Sequence, residues 1–410
     1  MIRSISIIGT LDTKGDQVDY LTGKIKRNGH QVIVIDVGVL GEPSVEADVT
    51  RHEVAKAAGM TIEELAALGH GKEAEAMDKM AEGAQVILND LNRKERVDGV
   101  LALGGSMGTA LALKVMEVFP LGMPKLVLST IANSPAVNPD FLSHNVLMVP
   151  LMGGLWGLNE FSKRSFDQAV GLIVGSTEAY ERKPITNKKL IGVTSLGMSA
   201  ARYLYHLRPA LAERNYEVAA FHATGMNTRL FEKAAKDGLF DFILDLYAGQ
   251  ELINGICGSL FDPGPHRLEA AAMSGVPQIV SLGIFEMCLW GSYKPIPEAF
   301  AGRRILHHNP ILWMTFTNLD EKVKMARLLA DKLNRAKGSA AIIIPLKPPL
   351  GLTKWGLEDP EGLEAVRKEL KKNLKPAISY VEVEASTDDK EFSDWILELM
   401  DHMMSKKNGS

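Results

Sequence analysis

Short apolar runs alternate along this chain with stripes of helical period. Ser4–Ile8 is apolar and β-rich and breaks at Gly9. From Asp16 the period changes, and Val18, Leu21 and Ile25 fall three and four apart, one face of a helix. Asn28-Gly29 stops that helix, and Val32–Ile35 predicts the next buried strand. The unit is strand, loop, helix, strand, which opens a parallel sheet. Thr61-Ile62-Glu63-Glu64 starts a further helix with a capping-box pattern. Val97–Leu103 predicts a strand that ends on Gly104-Gly105-Ser106-Met107-Gly108-Thr109, and Ala110–Phe119, apolar nearly all round, predicts a buried helix. Lys125–Ser129 and Val146–Leu151 supply two more strands.

The opening pattern then returns. A polar segment, Glu181–Lys189, carries Arg182, Lys183, Pro184, Asn187 and Lys188 and reads as a join. After it come a strand at Leu190–Thr194, a turn at Gly197, a helical stripe of Leu204, Leu207 and Leu211, and a strand at Val218–Phe221. The offset of about 185 positions favours two similar halves. Strands at Phe242–Leu246, Gln278–Ser281 and Ala341–Ile344 follow, with helices at Arg267–Met273 and from Asp320 to about Lys337. Ile378–Val383 reads as an edge strand. The last helix carries Phe392, Trp395, Ile396, Leu399 and Met403 on one side. The expected fold class is α/β: two Rossmann-like subdomains with mostly parallel sheets and an interdomain cleft. The expected limits are 1–180, 190–385, and a C-terminal helix and tail at 386–410.

Composition narrows the function classes. The 410 residues are 46% apolar and 23% charged, ordinary for globular domains. A formal net charge of −4 carries no electrostatic footprint for nucleic acid or an anionic membrane. No stretch approaches the roughly 18 apolar residues of a membrane span, and the N-terminal run is too short for a signal peptide, so a cytoplasmic protein is expected. Two cysteines, Cys257 and Cys288, cannot build a disulfide framework or a four-ligand zinc site, and with apolar neighbours they read as core thiols. Trp290 and Trp313 read as core or interface.

In open parallel sheets ligands sit beyond the carboxyl ends of the strands, where glycine turns feed helix N-termini and free N–H groups attract phosphate. The segment Gly9-Thr10-Leu11-Asp12-Thr13-Lys14-Gly15 has this placement. Gly9 and Gly15 permit close backbone approach, Thr10 and Thr13 offer hydroxyls, Lys14 offers a cation, and Asp12 offers a carboxylate for magnesium or a ribose hydroxyl. The same spacing suits an ordinary βα turn with solvated Asp12 and Lys14, since it is neither a GxGxxG nor a Walker A sequence. Gly104, Gly105, Ser106, Gly108 and Thr109 form a second candidate anion loop, and Ser129-Thr130 begins a third. Met152-Gly153-Gly154-Leu155-Trp156-Gly157 follows another strand. In the second half, His222 follows a strand and is a candidate acid or base; Asp262 and Glu286 lie on later loops, and His307-His308 is the densest imidazole pair. A metal site there would need a third ligand.

Taken together, Gly9–Gly15, Gly104-Gly105-Ser106, Ser129-Thr130, Gly157-Leu158-Asn159, Phe221-His222-Ala223-Thr224-Gly225 and His308-Asn309-Pro310 resemble the tobamovirus-resistance-protein-like ATP-binding family, of which the chain is identified as a divergent member. The similarity runs from about Ile5 to about Pro345. It implies two Rossmann-like subdomains, ATP binding with magnesium in the first, and a homodimer. In plants the family's domain is fused to a TIM-barrel domain, which here implies a separate TIM-barrel partner protein. The chain departs from the family pattern on its loops. Met107 stands for a glycine, Asn133-Ser134 for a Ser-Gly pair, Gly154 for an Asp, and Asn227-Thr228 for two glycines. Three functions follow: a protein binding ATP or another phosphorylated small ligand, an enzyme acting on a phosphorylated or acyl substrate in the interdomain cleft with His222 as acid–base group, and a non-catalytic partner protein whose nucleotide is structural.

Overall fold

The computed structural model describes every residue except 143, 184–185, 198–201, 294 and 409–410, so Pro184 of the expected join lies outside the described residues. The chain forms two compact units, Met1–Arg182 and Lys183–Ser410.

The first unit runs β1 (Ser4–Gly9), α1 (Leu11–Arg27), β2 (Gln31–Asp36), α2 (Arg51–Ala57), α3 (Ile62–Ala66), α4 (Glu73–Arg93), β3 (Gly99–Gly104), α5 (Ser106–Met116), β4 (Lys125–Ser129), β5 (Leu147–Pro150) and α6 (Glu160–Ala179). Its sheet is fully parallel with strand order β2-β1-β3-β4-β5. Helices cover both faces, so β3 and β4 are buried at every residue, as their unbroken apolar runs require. On one face Leu11, Val18 and Leu21 of α1 pack with Phe166 and Ile173 of α6. On the other, Val54 of α2, Leu65 of α3, Met80 and Leu88 of α4, and Leu111 of α5 share a core.

The second unit repeats the plan and extends it. It runs β6 (Lys189–Ser195), α7 (Tyr203–Glu213), β7 (Tyr216–His222), α8 (Met226–Lys236), β8 (Phe242–Asp245), α9 (Ala248–Cys257), α10 (Glu269–Ser274) and β9 (Gln278–Val280). After an antiparallel trio come α11 (Leu319–Leu333), β13 (Ala340–Pro345), α12 (Leu350–Trp355), α13 (Pro360–Asn373), β14 (Ser379–Val383) and α14 (Lys390–Asn408). The parallel order β7-β6-β8-β9-β13-β14 matches that of the first sheet with one strand added, the structural counterpart of the sequence repeat. The expected edge strand is β14. The trio β10 (Met287–Gly291), β11 (Ile305–Asn309) and β12 (Leu312–Phe316), inserted after β9, forms its own sheet in order β10-β12-β11. The sequence pattern gives no warning of it: two strands are joined through a two-residue turn at Pro310-Ile311, and the imidazole pair sits on strand β11.

Among the described residues no helix is long and apolar enough to cross a membrane.

Candidate ligand site in the first unit

Strand β1 is followed in sequence by its neighbour on one side, β2, and then by its neighbour on the other, β3. The two flanking connections therefore leave the sheet on opposite faces, and a crevice opens at the carboxyl ends of β1 and β3. The first two glycine segments of the sequence end on these two strands.

Both segments are shorter loops than their composition suggests. Helix α1 begins at Leu11, so Asp12, Thr13, Lys14 and Gly15 form its first turns and only Thr10 connects it to β1. Gly15 is buried, and a Cβ there would lie 2.0 Å from the Ser44 hydroxyl. That hydroxyl donates to the Leu11 carbonyl at 3.0 Å, so glycine at 15 lets the 38–45 segment close on the helix. Gly9 packs likewise against Val18 and Leu103. Both glycines thus serve packing inside the protein. Helix α5 begins at Ser106, and Gly104 sits against Gly108 and Thr109, where a Cβ would fall 2.7 Å from the backbone. The Thr109 hydroxyl is buried on that of Ser129 at 2.7 Å, and Ser129 Oγ accepts the Ile131 N–H. These two side chains hold strand ends together and do not face solvent; Ser106 and Thr130 are exposed.

What does open outward is a cavity of about 350 Å³. Thr10, Asp12 and Thr13 form one wall, and Met107, at the second position of α5, contributes another part. Val37, Val39 and Leu40 beyond β2, with Leu65, Leu68 and Met77 around α3 and α4, make the rest largely apolar. Of the expected cofactor residues, Thr10, Asp12 and Thr13 therefore share one cavity. Lys14 lies outside it and donates to the Thr13 carbonyl at 3.2 Å.

The electrostatics of this corner turn on two carboxylates. Asp36, buried at the end of β2, accepts the Leu11 N–H at 3.1 Å and the Gly38 N–H at 2.9 Å through Oδ1, which satisfies the first donor of α1 from another strand. Asp12 is half-buried and accepts from Gly41 N–H at 3.2 Å and from the Thr13 hydroxyl at 3.3 Å. Arg51 of α2 steadies the same segment, bonding the Gly41 carbonyl and, at 2.8 Å, Glu42. Neither N-cap of α1 nor of α5 closes its helix with a side-chain hydrogen bond, whereas Thr50, Thr61 and Asn159 do so for α2, α3 and α6. Two carboxylates beside α1 oppose a bare anion, and a phosphate there needs a divalent cation beside it. Magnesium is commonly held by one or two carboxylates, with water and substrate phosphates completing its shell. Asp12 fits that pattern, and no group of three or more metal-ligating side chains exists among the described residues.

Sequence reasoning missed Asp36, Arg51 and the α3–α4 wall. A signal for Asp36 was present, an acid at the end of the second strand of a βαβ unit; the wall comes from a long connection whose capping box at Thr61 marks a helix start and no ligand.

The second-unit candidates lie apart. His222 ends edge strand β7, is exposed, and accepts the Gly197 N–H on Nε2 at 2.9 Å; burial of part of its ring lowers its pKa below the usual value. The turn after it is held by Gly225, at φ +72°, whose N–H donates to Glu251 at 2.8 Å. A side chain at 225 would strike the Asp262 carbonyl at 2.6 Å. Glu286 precedes β10, the first strand of the antiparallel trio, and so belongs to a different sheet from β7. It is buried, with Oε2 lacking a hydrogen-bond partner, and burial pushes its carboxyl up to about 8. His308 lies on β11, edge-on to Trp355 at 6.0 Å. Among the described residues no hydrogen bond, ion pair or ring contact joins the three.

Comparison with known proteins gives the chain a family. Residues 3–182 match the N-terminal domain, and residues 188–404 the C-terminal domain, of the uncharacterised protein family UPF0261. The chain belongs to the UPF0261 family. A UPF0261 protein of Brucella suis is 37% identical over 98% of this chain and 96% of its own length. One from Clostridium tetani is 31% identical over 99% of this chain and all of its own. The ToMV resistance protein Tm-1(GCR237) of tomato, Solanum lycopersicum, is 27% identical over 90% of this chain. The matched part is 51% of the tomato protein, so this UPF0261 chain spans about half of it, and the tobamovirus-resistance resemblance holds at the level of homology.

Proposed function

We propose that this UPF0261 protein binds a magnesium nucleotide, ATP in the first instance, or a similarly phosphorylated small ligand in the cavity of its first unit. One observation carries the reading: the start of α1 and the start of α5 meet one cavity at the crossover of a parallel sheet, and its other wall is largely apolar, with His70 and Glu73 its polar members. Pockets of about 300–1,000 Å³ with a few placed polar groups are the usual form of small-ligand sites. In this reading Val37, Val39, Leu65, Leu68 and Met77 take the base. The hydroxyls of Thr10 and Thr13, with the exposed first turn of α5, take phosphate oxygens. Asp12 takes the magnesium ion. Met107, which stands where the family pattern has a glycine, places a thioether at the mouth and tunes which ligand enters.

Isothermal titration of the full chain with ATP and magnesium tests this. One site is expected, with affinity at least tenfold weaker in Asp12→Asn and binding abolished in Ala66→Trp, which fills the cavity. Absence of heat with ATP, ADP and AMP, or binding that Ala66→Trp leaves intact, overturns it.

A further inference from the structure

The chain has two cysteines, separated by thirty-one positions, and the fold puts them against each other. Cys257 is the last residue of α9, and Cys288 the second of β10. The helix end is fastened to the strand on both sides of the pair: Leu289 N–H donates to Asn254 Oδ1 at 3.0 Å, and Leu260 N–H to the Leu289 carbonyl at 2.8 Å. The two thiols lie in one packed cluster with Trp290, Phe300 and Trp313. Cys288 is fully buried, while Cys257 is partly exposed and forms the solvent side of the pair.

The surroundings treat the two sulfurs differently. Trp290 Nε1 donates to Thr315 Oγ at 2.7 Å. An indole N–H can only donate, so the threonine hydroxyl accepts it, and Cys288 Sγ lies 3.2 Å from the same oxygen. Arg303 and Glu321, paired at 2.9 Å, act on both thiols in opposite senses, Glu321 the more strongly. Its neighbour Cys257, and then the Thr315 hydroxyl, hold the Cys288 thiol below its ordinary range, while Cys257 is raised by Cys288 and by burial. Such an asymmetry between two neighbouring sulfurs suits sulfur oxidation chemistry. An inert pair of core thiols needs neither the contact nor the asymmetry.

We propose that Cys257 and Cys288 are a redox-active pair that closes reversibly to a disulfide with a peroxide as oxidant, tying the end of α9 to the three-stranded sheet. The Cys288 thiolate attacks one peroxide oxygen: an S–O bond forms, the O–O bond breaks, and the leaving hydroxide takes a proton to become water. Cys257 sulfur then attacks Cys288 sulfur; the S–O bond breaks, a second water leaves with the Cys257 proton, and the S–S bond forms. Two thiols and one peroxide become one disulfide and two waters, and an external dithiol reverses the change.

The test treats the full wild-type chain with hydrogen peroxide and maps peptides by mass spectrometry without reduction. The expected product is one cross-linked peptide pair joining Cys257 to Cys288, two hydrogens lighter, and restored to thiols by dithiothreitol. In Cys257→Ser, dimedone should trap a sulfenic acid on Cys288; in Cys288→Ser, Cys257 should react at least tenfold more slowly than the wild-type pair closes. Persistence of both thiols, separate over-oxidation of each sulfur without a link, or disulfides only between chains overturns the proposal, and the wild-type result decides even if a variant fails to fold.

Discussion

Arg267 is the largest fully buried side chain in the protein, and replacing it should be among the most damaging single changes available. Its guanidinium meets three carboxylates at the carboxyl end of the second sheet: Asp245 at 2.5 and 2.6 Å, Glu251 at 2.8 Å and Glu232 at 3.0 Å. Those acids in turn hold backbone. Glu251 accepts from Gly225 N–H and the Thr228 hydroxyl, and Glu232 from Leu268 and Ala270 N–H. In Arg267→Met the volume is nearly kept, but the acids lose their only buried cation among the described residues. Breaking a buried pair this way costs about 3–5 kcal/mol, because uncompensated charge stays behind. For a unit of this size that corresponds to a fall in melting temperature of roughly 6–20 °C. The pH dependence is the sharper criterion. Burial raises the Glu232 and Glu251 carboxyls even in the native protein, and the Arg267 charge opposes that rise. Without Arg267 the rise is larger. A carboxyl raised in the fold stabilises it fully below its ordinary value, and that contribution is lost as pH climbs through the folded value. The deficit of Arg267→Met should therefore be large at pH 8 and shrink toward pH 5. Urea melts of wild type and variant at both pH values measure it. A deficit under about 1 kcal/mol at pH 8, or one equal at the two pH values, would refute the reasoning.

Two further expectations follow from single contacts. Glu286 must take up a proton on folding between its ordinary 4.5 and its folded value of about 8, so wild-type stability should fall by something on the order of 3–5 kcal/mol across that window. Glu286→Gln, which mimics the protonated carboxyl, should flatten the profile in the same melts. Gly15→Ala should lose about 1–2 kcal/mol despite the better helix propensity of alanine, because the new methyl displaces Ser44 and its hydrogen bond to Leu11. The double variant Gly15→Ala, Ser44→Gly should recover most of the loss in a double-mutant cycle.

Local pattern alone determined most of the scaffold. The apolar run Ser4–Ile8, the stripe Val18, Leu21 and Ile25, and the run Val32–Ile35 are β1, α1 and β2 within a few residues, and the returning pattern near Leu190 is a second sheet of the same strand order. A period of two or 3.6 is written in neighbouring residues, and burial on both faces leaves an unbroken apolar strand. The capping box at Thr61 was equally legible, being a contact between residues three apart. The site was legible only in part. Glycines at 9 and 15 mark a place, yet whether they admit a ligand or a neighbouring loop depends on Ser44, a residue distant in sequence. Thr109 and Ser129 look like anion ligands until the fold turns them on each other. The largely apolar wall that includes Leu65, Leu68 and Met77, the carboxylate cluster around Arg267 and the meeting of Cys257 with Cys288 are all products of packing between distant segments. No periodicity encodes such meetings, because each side chain satisfies its own helix or strand whatever lies opposite, and only tertiary structure decides what that is.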